Sequence, residues 1–153
     1  MSAEDRIKEL GIELPTPPGP VGNYIGATRT GNLIYLSGHG PRNADGSMIS
    51  GKVGADMDID EAYAAARNVG LGLLATLKAQ IGDLNKVKQV IKTLGMVNAV
   101  PEFTDHPKVI NGASDLFVDV FGDAGRGARS AVGMGSLPNQ IPVEIEMIIE
   151  IED

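Results

Sequence analysis

The carboxyl-terminal stretch from Pro142 to Glu152 alternates almost without a break, and that alternation constrains the fold more than any other feature of the chain. Val143, Ile145, Met147, Ile149 and Ile151 fall at every second position, with Glu144, Glu146, Ile148, Glu150 and Glu152 between them. Successive side chains of a β-strand point to opposite faces of its sheet. One face of this strand must be buried under another layer. The other face carries mostly carboxylates and one apolar side chain, Ile148.

The covering layer is legible upstream. Asp58 and Glu61 form a capping box, Ala62, Ala66, Val69, Leu73 and Leu77 recur at helical spacing, and Gly82 stops the helix. His106-Pro107 opens a second helix, with proline in the first turn where its missing N–H is harmless. Ile110, Ala113, Phe117 and Val120 form its buried stripe, and Gly122 closes it. Residues 87–98 read as a strand apolar on both faces, as a central strand would be. NYIGATR and NLIYLSG flank a tight turn at Thr30-Gly31, ARSAVGM supplies a further strand, and the segment His39–Asp56 is a loop with a short extra hairpin. The order is β-β-α-β-α-β-β, which predicts an α+β fold with two helices on one face of a mixed sheet. The second face, with Ile91 or Leu94, Ile148 and Glu144, is half apolar and predicts burial against other subunits.

Ahead of this unit, residues 2–11 form a short helix capped by Ser2 and Asp5, with Ile7 and Leu10 on one face. Four prolines in LPTPPGP then favour an extended connector. The expected organisation is an amino-terminal helix and proline-rich arm at 1–22, then a single domain at 23–153.

Composition excludes several functions. Without cysteine there are no disulfides, thiolate nucleophiles or cysteine metal sites. Two histidines without metal-ligand spacing make an imidazole metal centre a poor fit. The formal net charge is −7, lysine and arginine form no block, and few aromatic rings are available to stack bases, so nucleic acid is not an expected partner. No apolar run approaches the roughly 20 residues of a membrane span, and MSAEDRIKEL lacks the apolar stretch of a secretory signal. The expected location is the cytoplasm.

Taken by spacing alone, Arg129 pairs with Glu144 or Glu146 across adjacent strands, and Glu144 belongs to a solvated row of carboxylates. Tyr24 reads as a packing residue, Asn111 as a helix-surface residue and His106 as a helix-start residue. The ordered set of local motifs says more. Gly22-Asn23-Tyr24 leads into the strand from Gly31-Asn32 to Ser37-Gly38. Gly127-Ala128-Arg129-Ser130 follows, and Leu137-Pro138 and Val143-Glu144-Ile145-Glu146 close the series. In this order, from about Gly22 to Ile151, the chain resembles the RidA/YjgF family of enamine/imine deaminases.

The resemblance implies a chorismate-mutase-like homotrimer with clefts between neighbouring subunits. It implies hydrolysis of 2-aminoacrylate and related imino acids to 2-keto acids and ammonia, without a cofactor. Arg129 would hold the substrate carboxylate and Glu144 would position the attacking water. Tyr24, Asn111 and backbone groups around Ser37-Gly38 would line the cleft, with Tyr24 coming from a neighbouring subunit. The residue types suit this chemistry, because a guanidinium grips a carboxylate through paired hydrogen bonds and a carboxylate can act as general base on water. Five positions depart from the family pattern. Gly127 and Asn23 stand where prolines are usual, His39 replaces glutamine, Ala131 replaces a common cysteine, and Arg126 adds a second cation beside Arg129. His39, as a proton donor, and Arg126 are therefore further site candidates, and the two cations suggest a more acidic substrate. Two other functions compete: a non-catalytic receptor for small carboxylates, and a ribonuclease or translation inhibitor.

Overall fold

A computed structural model describes residues 1–20 and 22–153. Helix α1 (Ala3–Glu9) precedes the hairpin of β1 (Ala27–Thr30) and β2 (Leu33–His39). Helix α2 (Ile59–Ile81), strand β3 (Val87–Asn98), helix α3 (His106–Phe121), and strands β4 (Ala128–Met134) and β5 (Val143–Ile151) follow. The strands form one mixed sheet in the order β1-β2-β5-β3-β4, in which only β3 and β4 run parallel, joined by the α3 crossover. This is the expected α+β, chorismate-mutase-like arrangement.

The alternation of β5 does what its pattern requires. Val143, Ile145, Met147, Ile149 and Ile151 are buried in one core with Leu73 and Leu77 of α2 and Ile110 and Phe117 of α3. Both capping boxes form, at Ser2/Asp5 and at Asp58/Glu61. On the opposite face Leu94 lies level with Glu146, and Tyr35 with Ile148. Ile91 falls where the β3/β5 register slips, so Leu94 is the apolar residue of that face. Tyr35 and Val132 remain 44% and 39% exposed.

Several boundaries differ from the expectation. β1 starts only at Ala27, so Asn23 to Gly26 precede the strand. The turn is Gly31-Asn32, because Gly31 takes the left-handed φ of +57° that a side chain would resist. Leu10 is the exposed C-cap of α1, and Ile7 faces inward with Ala3 packed beside it. The loop after β2 does contain a minimal hairpin, bridged between Arg42 and Met48.

Helix α1 is tied to the body of the fold. The Glu4 carboxylate accepts from Lys78 Nζ at 2.9 Å and from the Leu84 amide at 3.0 Å. The Glu4 amide donates to Asn85 Oδ1 at 2.9 Å. Among the described residues no helix is long and apolar enough to cross a membrane.

Candidate functional site: two half-sites on opposite sheet faces

The first group of candidate residues grows out of a bulge. Leu36 pairs with Met147 and His39 with Ile145, so Ser37 and Gly38 together oppose Glu146. The extra residue turns the strand end away from regular pairing. The Ser37 hydroxyl donates to the Ile25 carbonyl at 2.6 Å and its amide donates to Gly26 at 2.9 Å, which ties the bulge to the segment after Tyr24. Glycine at position 38 leaves room for the Glu144 carboxylate, which a Cβ there would push aside.

Glu144, Gly38 and Tyr24 line a cavity of about 510 Å³, closed on other sides by Pro18 to Pro20, Arg42, Met48, Asn139 and Ile141. Glu144 is partly buried and accepts no hydrogen bond among the described residues. Its pKa is raised, first by burial and then by the neighbouring charge of Glu146. A carboxylate so placed is a stronger base than one in water. Opposite it, Asn139 and Gln140 both adopt positive φ, of 56° and 54°. This conformation is held by Ser50 Oγ donating to the Asn139 carbonyl and the Gly51 amide donating to that of Gln140.

His39 borders the cavity, but its imidazole is committed elsewhere. It is buried, with Nδ1 donating to the Ser37 carbonyl at 2.6 Å and Nε2 accepting from Thr76 Oγ1 at 2.8 Å. A carbonyl can only accept, so the bond to Ser37 fixes the neutral tautomer. Burial, more than any other influence, lowers its pKa. Neither ring nitrogen has a proton to offer a ligand without breaking a bond that supports the bulge.

The second group stands on regular elements. Arg129 on β4 lies level with Thr93 on β3, which lies level with the buried Met147. Arg129 therefore faces the helices, where Nη1 donates to Asn111 Oδ1 at 2.7 Å and to Ser114 Oγ at 3.1 Å. Asn111 and Ser114 sit three apart on α3 and so share a face. Both bonds use one nitrogen, which leaves Nε and Nη2 as a fork for a carboxylate. Arg126, Gly127, Thr93 and Phe117 complete a cleft of about 320 Å³.

Adjacent-strand pairing of Arg129 with Glu144 or Glu146 does not occur. β3 runs between β4 and β5, and Arg129 and Glu144 point to opposite faces of the sheet. The subunit thus brings Tyr24, Gly38 and Glu144 together with His39 at the margin, gathers Asn111, Arg126 and Arg129 elsewhere, and leaves the two groups apart. Sequence reasoning missed Arg42 and Ser114. The spacing of Ser114 from Asn111 on the helix was an available signal for the second.

The chain matches the family model described as "YjgF/chorismate_mutase-like, putative endoribonuclease" over residues 4–145. It is 39% identical over 148 residues to Protein TCP17 of Trypanosoma cruzi, covering 96% of this chain and 92% of that one. It is 32% identical to the 2-iminobutanoate/2-iminopropanoate deaminase of Dermatophagoides farinae, covering 92% and 95%. Among solved structures, the protein Atu1372 of unknown function from Agrobacterium tumefaciens superposes with a TM-score of 0.89 at 46% identity. That match covers 99% of this chain and 94% of the other, so the amino-terminal helix and proline-rich arm are not an addition peculiar to this chain. Fold, motif order and these matches agree, and the chain belongs to the YjgF/RidA family.

Proposed function

We propose that the protein hydrolyses 2-imino acids, and the enamines that tautomerise to them, to 2-keto acids and ammonia. We also propose that it does so as a homotrimer in which the Arg129 cleft of one subunit meets the Glu144 cavity of its neighbour. The observation that carries this reading is the division of the chemistry. One subunit holds a prepared carboxylate-binding fork and a proton-accepting carboxylate on opposite sides of its sheet, so neither half can act on one small molecule alone.

In the joined site the Arg129 fork holds the substrate carboxylate, with Asn111 and Ser114 fixing the guanidinium. Glu144 accepts a proton from water as its oxygen adds to the protonated imine carbon. That proton then passes from Glu144 to the nitrogen of the resulting carbinolamine. As the C–N bond breaks, its electron pair leaves with ammonia. The hydroxyl O–H bond supplies the electrons of the new C=O, and its proton goes to the Glu144 carboxylate, which releases it to ammonia or solvent. Water supplies the keto oxygen, so the atoms balance without a covalent enzyme intermediate. The raised pKa of Glu144 strengthens it as the acceptor, and holding the reactants in register supplies much of the remaining rate. The deaminase name of the Dermatophagoides relative supports this chemistry.

Imino acids generated in place from a panel of amino acids, with semicarbazide competing for the imine, measure turnover directly. Wild type is expected to suppress semicarbazone formation. Arg129→Ala is expected to lose keto-acid binding by a factor of about 10–150, the worth of a hydrogen bond to a charged group. Light scattering is expected to give three times the 16.0 kDa of the chain, and a monomer at micromolar concentration would sink the shared site.

A further inference from the structure

The Arg129 cleft contains a second guanidinium that this mechanism leaves idle. Arg126 lines the same cleft, and no carboxylate lines it with the two arginines. On a chain with a formal net charge of −7, a cleft lined by two arginines and otherwise neutral residues concentrates positive charge, offset only by the Asp123 carboxylate paired with Arg126. The placement of Arg126 is set by backbone on both sides. A Cβ at Gly125 would collide with the Phe117 carbonyl of α3, and one at Gly127 would lie 2.6 Å from the Val90 carbonyl oxygen of β3. These close approaches clamp the turn between α3 and β3 and hold Arg126 on the cleft wall, three residues ahead of Arg129. Its ion-pair partner, Asp123, has a side chain that is 99% exposed and does not line the cleft. A pair so exposed contributes little and exchanges readily for a better-placed anion.

We propose that the site selects 2-imino acids whose side chain bears a second carboxylate, held by Arg126 while Arg129 holds the carboxylate beside the reacting carbon. The proposal rests on the deaminase reading and names its substrate class. Amino acids with an anionic side chain carry a carboxylate there, and the planar fork of arginine matches it.

Calorimetry on the assembled protein compares 2-oxoglutarate with 2-ketobutyrate, as dicarboxylic and monocarboxylic keto-acid probes. Wild type is expected to prefer 2-oxoglutarate by about tenfold or more. Arg126→Gln is expected to bring the ratio of the two affinities close to one, and Arg126→Lys, which keeps the charge without the fork, to an intermediate value. A wild-type ratio near one, or a preference that survives Arg126→Gln, overturns the proposal while leaving the deaminase reading in place. Arg129→Ala reads that foundation separately. If it weakens neither probe, the carboxylate role of Arg129 fails, and the substrate class falls with it.

Discussion

The Glu144 cavity and the Arg129 cleft are built in opposite ways. The cleft stands on a helix and a strand: Asn111 and Ser114 share a face of α3, and β4 delivers Arg129 to them at 2.7 and 3.1 Å. The cavity is made of exceptions, including a bulge at Ser37-Gly38, a glycine whose missing Cβ makes space for the Glu144 carboxylate, and two left-handed residues at Asn139-Gln140. Binding a carboxylate needs only a rigid fork, which regular elements hold well. Keeping a carboxylate partly buried with no hydrogen-bond partner among the described residues works against ordinary packing, and strained or irregular backbone is where proteins tolerate that.

The most damaging change should fall on the chemistry half. Glu144→Gln keeps shape and hydrogen-bonding capacity but loses the base, so imine hydrolysis is expected to fall by about 10²–10⁴. Keto-acid affinity should hold or improve, because a negative charge near the ligand is gone. Glu146→Gln is the control and should matter far less. Mixing then tests the division itself. Glu144→Gln and Arg129→Ala subunits, each nearly inactive alone, are expected to regain activity when refolded together, since about a quarter of randomly formed shared sites carry both native residues. Mixtures as inactive as their parents would place the whole site within one subunit. Binding without turnover of any imine by wild type would make the protein a receptor.

Gly38→Ala probes the irregular half without touching a functional group. The new Cβ must displace the Glu144 carboxylate, and a misplacement of about 1 Å in a reacting group can cost on the order of 10² in rate. The expected signature is a drop in kcat with keto-acid binding nearly intact. Equal losses in both would mean that the cavity as a whole had deformed.

The regular half should be more forgiving. Ser114→Ala removes the longer of the two bonds to Arg129 and is expected to weaken keto-acid binding by only a few-fold, because the guanidinium keeps its shorter bond to Asn111 and loses orientation rather than contact with the ligand. Asn111→Ala, which removes the shorter bond, should cost more. If Ser114→Ala costs more than Asn111→Ala in calorimetry, Ser114 rather than Asn111 is the main support of the fork.

The regular half was also the easier one to read from sequence. Capping boxes, the stripes of α2 and α3 and the alternation of β5 are local patterns, and they formed as written. Strand neighbours are not local. β4 and β5 are consecutive in the chain, yet the α3 crossover lays β4 outside β3, so an adjacent-strand pair of Arg129 and Glu144 was never available. The bulge was equally invisible, because it exists only in the register of β2 against β5. Arg42 reaches the cavity through a hairpin whose existence, but not direction, the loop composition implied.

His39 supplies the smallest effect and the finest distinction between the halves. Its folded-state pKa lies below the ordinary 6.5, chiefly because it is buried. Protonation would add a hydrogen to Nε2, which now accepts from Thr76, and would put a charge in a buried position that Arg42 further disfavours. The sign follows from proton counting. Between the lowered folded value and 6.5 the unfolded chain binds more protons than the native one, so this contribution to stability is lost as pH falls through that window and returns above it. Thermal melts of wild type between pH 7 and 5 should therefore decline more steeply than those of His39→Gln, the residue usual in the family. Turnover should show no rate limb belonging to His39, because both ring nitrogens are already committed to Ser37 and Thr76. The acid limb should instead lie above the ordinary carboxylate range, set by Glu144, and should move downward in Glu146→Gln as the neighbouring charge is removed. A limb that follows His39→Gln would make His39 a participant in proton transfer, and the bulge would then have to open during the reaction to release it.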